Sequence, residues 1–191
     1  REWISAAIME ARDDIGTRIS SIDSIIEEMT TSRSALLGAF NSLPVPARYV
    51  SESLDQLSPV QRLICLVDQE HYLLSQFRKI LSGEETIWKT FNENQWRDMR
   101  DFAEVVGKRE DDLLLQNMLT DVRNEVETLL SAHRETVSTV WAVDTTGIPI
   151  NLIDLLNEFV SYEKRIAKNF MILGSKGELA QHATSEHSRK D

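Results

Sequence analysis

The sequence is poor in several things that common functions require. It holds one cysteine, Cys65, in 191 residues. A single thiol excludes an internal disulfide framework and any zinc ribbon built on cysteines, and it fits a reducing compartment. Glycine and proline are scarce, seven and four residues, and they gather at a few points, as the connections of a helical bundle do. No apolar run approaches the roughly 20 residues of a membrane-spanning helix, and no signal peptide is visible. Positive charge is in deficit: 21 Lys and Arg stand against 31 Asp and Glu, a net charge of −10. That balance opposes sequence-independent binding of phosphate backbones and docking on anionic membranes. No phosphate loop, dinucleotide fingerprint or Ser-His-Asp spacing occurs. The expectation is a soluble, cytoplasmic protein that partners neither nucleic acid nor membrane.

What is present is apolar periodicity. Hydrophobic residues make up 41 % of the chain, enough for a real core. From Arg1 to Phe40, Ile4, Ile8, Ile15, Ile19, Ile22, Ile26, Met29, Leu36 and Phe40 form one helical stripe, with Gly16 and the Thr30–Ser32 stretch as possible kinks. "NSLPVPARYVSESLDQL" reads as a loop. "SPVQ" at 58–61 is a strong helix start: Ser58 can cap, Pro59 suits the first helical position and Gln61 can complete a capping box. That helix is expected to run to about Ser82, with Gly83 ending it. Residues 84–110 predict an irregular stretch with short helical turns. A third helix is expected from about Asp111 to Val140, with Leu114, Met118, Val122, Val126, Leu129, His133 and Val137 as its stripe. After the linker "AVDTTGIPIN", Asn151 can cap a fourth helix that carries Leu152, Leu155, Leu156, Phe159, Ile166, Phe170 and Leu173. Residues 174–191 are polar and aperiodic and predict a mobile tail. No alternating run is long enough for a strand. These elements predict an all-α four-helix bundle, one domain over 1–173.

The second predicted helix contains "LICLVDQEHYLL", where a cysteine, two carboxylates and a histidine fall in seven residues of an apolar segment. With "SALLGAFNSLP" before it and "INLIDLLNEFVSYEKRIAKNF" after it, the order of parts resembles the DinB/YfiT-like family of bacterial four-helix bundles, from about Ile19 to Leu173. Family members typically carry a His-Leu-Ala-Asp-x-Glu segment on the second helix, where this chain has "CLVDQE". In many members three histidines bind a divalent metal, one from the second helix and two, a turn apart, from the fourth. The resemblance places these positions on Cys65 and near Tyr162 and Ile166. Cysteine can bind zinc as a thiolate, tyrosine is a poor ligand here, and isoleucine cannot ligate. The expectation is that the metal-binding histidines are not retained and that the chain uses no cofactor.

Other side chains offer candidate chemistry. Cys65 lies among Leu63, Ile64, Leu66 and Val67, so an inert buried thiol is favoured over a reactive or ligating one. His71, beside Glu70 and Asp68, could join His133 and Glu163 in a rearranged metal site built from three helices. The Glu-x-x-His motif of di-iron bundles is absent, however, and lone histidines on apolar stripes are more often hydrogen-bonded core or boundary residues. Asp111 and Asp112 read as favourable charge at a helix start. Glu27, Glu28, Glu84 and Glu85 read as solvated faces. Trp88, Trp96 and Trp141 could line a pocket, but packing is the commoner use of such area. His182 and His187 fall in the tail.

The leading functional expectation is a non-enzymatic DinB-like bundle that acts through self-association, a protein partner or a small apolar ligand. The alternative is a metal- or thiol-dependent transferase of the same family, with zinc or nickel held by His71, His133 and Glu163. A homodimer is also expected. As one helix, residues 1–40 would reach about 60 Å, against roughly 35 Å for a 23-residue bundle helix. The excess, residues 1–16, presents Trp3, Ile4, Ala7, Ile8 and Ile15 on one face, and a second copy is the favoured cover.

Overall fold

A computed structural model of the chain describes residues 22–51, 56–99 and 109–187, with side chains for all of these except 109–111 and 177–187. In chain order the elements are α1 (Ile22–Ser42), a 3-10 turn (Val45–Tyr49), α2 (Pro59–Leu81), β1 (Ile87–Trp88), α3 (Glu93–Met99), α4 (Arg109–Ala132), α5 (Arg134–Val137), β2 (Trp141–Asp144), β3 (Pro149–Asn151) and α6 (Leu152–His187). The four long helices form the expected bundle, with α1 laid along α6 and α2 along α4. The expected N-terminal extension, residues 1–16, lies outside the described residues, as does the interface expected of it.

The predicted caps are realised. Gln61 N–H donates to Ser58 Oγ (3.3 Å), and Ser58 N–H donates to Gln61 Oε1 (2.9 Å), which completes the capping box with Pro59 inside it. At the other end of α2 the chain leaves the helix through Gly83, whose φ of +77° is open to glycine and strained for other residues. Ile153 N–H donates to Asn151 Oδ1 at 2.8 Å, so Asn151 caps α6.

Each long helix turns an apolar face inward. Phe40, Leu63, Phe77, Leu119, Leu130 and Leu156 are fully buried, each contributing roughly 1.5–3 kcal/mol by burial. On α4 the buried stripe is Leu115, Leu119, Val122, Val126 and Leu130, while Leu114 and Met118, expected inside, are exposed. Val122 and Val126 belong to either stripe, and "LLL" at 113–115 suits both. What selects the face is Arg123, which lies buried between Leu119 and Val126 and meets carboxylates from two other helices, as described below.

Three expectations differ from the structure. Residues 141–144 and 149–151 pair as an antiparallel hairpin, and β1 joins β2 in parallel, Ile87 opposite Val143. Strands of two to four residues are too short to show an alternating pattern. The turn between β2 and β3 is fixed by Asp144, whose Oδ1 accepts from the backbone N–H groups of Thr146 and Ile148. The third long helix ends at Ala132, and a separate turn of helix, α5, follows His133. Finally, α6 continues to His187 where the apolar stripe stops at Leu173. No proline follows to break it, and glycine inside a helix costs only about 1 kcal/mol.

Candidate functional site

Each long helix contributes one charged side chain to a buried ionic quartet: Arg33 from α1, Glu70 from α2, Arg123 from α4 and Glu163 from α6. Glu70 and Glu163 are fully buried, and the two arginines nearly so. Arg33 bridges the carboxylates, donating through Nη2 to Glu70 Oε2 and through Nε to Glu163 Oε1, both at 2.5 Å. Arg123 closes the ring through Nε to Glu70 Oε1 (2.5 Å) and Nη2 to Glu163 Oε2 (3.2 Å). Ser32 Oγ donates to Glu163 Oε2 at 2.5 Å. The guanidiniums also donate to backbone, Arg33 to the Leu119 carbonyl and Arg123 to the Met29 carbonyl. The group is neutral, and all four carboxylate oxygens accept a hydrogen bond, which is what a buried charge requires. Burial opposes the charge of Arg123, but Glu70 and Glu163 outweigh it and hold its pKa above the ordinary value.

This arrangement assigns Glu163 a partner set other than a metal. His71 is exposed, with Nδ1 3.0 Å from the Val67 carbonyl of its own helix. His133 is half-buried, with Nδ1 3.1 Å from the Leu129 carbonyl. Neither histidine joins Glu163, and among the described residues no group of three His, Cys, Asp or Glu is placed to hold a metal ion.

Two of the positions singled out by the resemblance lie elsewhere, at a cleft of about 580 Å³ between the start of α2 and the middle of α6. Tyr162 and Ile166 line it. Cys65 is buried and does not line it. On the polar wall, Arg62 Nη1 donates to Glu93 Oε2 and to Tyr162 Oη, both at 2.9 Å, and Tyr162 Oη donates to Glu93 Oε2 at 3.2 Å. The Arg165 guanidinium stands 5.7 Å from the centre of the Tyr162 ring, a cation–π contact. Leu57, Pro59, Phe170 and Leu173 supply the apolar wall. Burial, reinforced by Glu93, pushes the Cys65 thiol up to about 12. Burial also pushes the Tyr162 phenol up to about 12, against the pull of Arg62. For Arg62 burial works the other way, and Tyr162 and Glu93 overcome it to raise the pKa.

These residues do not fit the metal that the resemblance implies. Cys65 is buried and does not line the cleft, and among the described residues no second and third ligand stand beside it. The Tyr162 phenol is engaged by Arg62 and Glu93, and Ile166 has no donor atom.

Of the tryptophans, two are packed inside. Trp88 is buried edge-on to Phe77, and Trp96 is buried with Nε1 donating to Asp68 Oδ2 at 2.7 Å. Trp141 is 54 % exposed on β2. Asp112, expected as favourable helix-start charge, lies in the first turn of α4 and is buried, accepting from Arg48 Nη1 (2.8 Å) and Tyr49 Oη (2.5 Å), and so ties the 3-10 turn to α4. The side chains of Asp111, His182 and His187 lie outside those described.

With this geometry in view, the fold has a counterpart among solved structures. YfiT from Bacillus subtilis, described as a probable metal-dependent hydrolase with an unusual four-helix bundle topology, matches 84 % of this chain with 90 % of its own, at a TM-score of 0.69 and 15 % sequence identity. The chain therefore has the DinB-like, YfiT-like four-helix-bundle fold that the sequence resemblance implied. No protein-family model matches the sequence, and no curated protein matches it. No helix among the described residues is long and apolar enough to cross a membrane.

Proposed function

We propose that this chain is a non-enzymatic DinB-like bundle that binds a small, largely apolar ligand in the cleft between α2 and α6. The observation that carries this reading is the substitution of the metal-binding positions: a buried thiol, a phenol held by an arginine and an isoleucine stand where the resemblance implies three histidines. The cleft volume of about 580 Å³ falls within the range of small-molecule sites, which pair apolar walls with a few placed polar groups.

A metal-dependent enzyme is the second reading, favoured by the description of YfiT as a probable metal-dependent hydrolase. It would need ligands other than His71, His133 and Glu163, which do not converge.

Calorimetric titration with octanol, a neutral apolar probe, tests the first reading. Asn169 lines the cleft and is exposed, so Asn169→Trp can fill the opening without disturbing the core. Wild-type protein is expected to bind the probe and the variant to lose binding. No binding by the wild type, or unchanged binding by the variant, overturns the reading.

A further inference from the structure

The same cleft carries a charge pattern that an apolar ligand alone does not explain. The chain as a whole has a net charge of −10, yet two arginines, Arg62 and Arg165, and one carboxylate, Glu93, line this opening. Arg165 makes no ion pair among the described residues, and its one partner is the neutral face of Tyr162. Arg62 uses Nη1 for both of its bonds. Its Nε and Nη2 have no hydrogen-bond partner among the described residues, and the side chain, 23 % exposed, lines the cleft. These two nitrogens form the side edge of the guanidinium, which binds a carboxylate through two parallel hydrogen bonds. Glu93 neutralises one arginine and fixes the Arg62 side chain from the Nη1 corner, leaving that edge presented.

We infer that the cleft selects a monoanionic amphiphile, a small carboxylate whose head pairs with the free edge of Arg62, with Arg165 adding charge, and whose tail lies on Leu57, Pro59, Phe170 and Leu173. This inference rests on the ligand-binding reading given above and names the chemical class of the ligand. Apolar area provides the bulk of binding, while the arginines discriminate among ligands of equal tail. A local positive cleft on an acidic surface admits one anion and repels it elsewhere.

Titrations near neutral pH with octanoate, octanol and acetate separate the two contributions. Octanoate is expected to bind at least about tenfold tighter than octanol, as one charge-assisted pair allows, and acetate to bind too weakly to measure. Arg62→Gln and Arg165→Gln should each move octanoate toward the affinity of octanol. Arg165 is exposed and makes no ion pair, so its variant keeps the test valid if Arg62→Gln fails to fold, which a thermal melt reveals. Octanol binding as tightly as octanoate overturns the inference and leaves the ligand-binding reading in place. An octanoate preference that survives in Arg165→Gln and in folded Arg62→Gln also overturns it. Binding of neither octanoate nor octanol overturns both.

Discussion

Arg33, Glu70, Arg123 and Glu163 each sit at apolar spacing on their own helix. Arg33 follows Met29 by four and precedes Leu36 by three; Arg123 stands likewise between Leu119 and Val126, and Glu163 between Phe159 and Ile166. A charge at such a position signals a buried partner, and the sequence contains that signal four times. Pattern alone does not pair the charges, because the partners lie on different helices and 37 to 130 residues apart. Glu163 was legible as an inward-facing carboxylate and entered only the alternative metal site, because no periodicity announces Arg33 or Arg123 as its counter-ions. Breaking such a group is costly, since a guanidinium is left buried and uncompensated. Glu163→Ala is expected to lower unfolding free energy by about 3–5 kcal/mol, measured by urea denaturation, and a loss near zero would show that the quartet is solvated. Cys65 was legible as a buried thiol from its four apolar neighbours. It should react with a thiol reagent far more slowly in folded than in denatured protein. Its pKa is raised in the folded state, from 9.0 to about 12, so the proton is held more tightly there. The associated stability is complete below the unfolded pKa and is lost as pH climbs through the folded one. Melting temperature should therefore fall between pH 9.0 and about 12, less steeply in Cys65→Ala than in wild type, and equal slopes would contradict the burial.

At the scale of elements, local chemistry was legible and the choice of face was not. The capping box at Ser58 and Gln61, the glycine exit at Gly83 and the cap at Asn151 are each set by residues within three positions of the helix end. Ser58→Ala is expected to cost about 1 kcal/mol, read as a shift in denaturation midpoint at constant slope; no shift would mean that α2 does not depend on its cap. On α4 two stripes fit the periodicity equally, and the one that wins brings Arg123 to Glu70 and Glu163. The sheet was invisible because its strands are only two to four residues long, and its β1–β2 pairing joins segments more than fifty residues apart. The extension of α6 past Leu173 escaped a reading based on apolar stripes because these mark packed faces, and a helix can continue where no stripe does.

For the whole molecule, the order of helices was enough to place the fold, and the YfiT likeness agrees over most of both chains. The candidate site was legible in one respect: Tyr162 and Ile166 were singled out by the resemblance, and both line the cleft. Arg62, Glu93 and Arg165 were not, because their meeting depends on how α2, α3 and α6 pack. The bundle thus keeps a frame shared with a probable metal-dependent hydrolase and lines one of its clefts with arginines, a phenol and apolar side chains. The central claim is that this chain works as a binding bundle without a divalent metal, and the metal content of protein purified without chelator tests it most directly. Far less than one equivalent of zinc, nickel or iron is expected, with no change in melting temperature on adding chelator. One equivalent of any of these metals would contradict it.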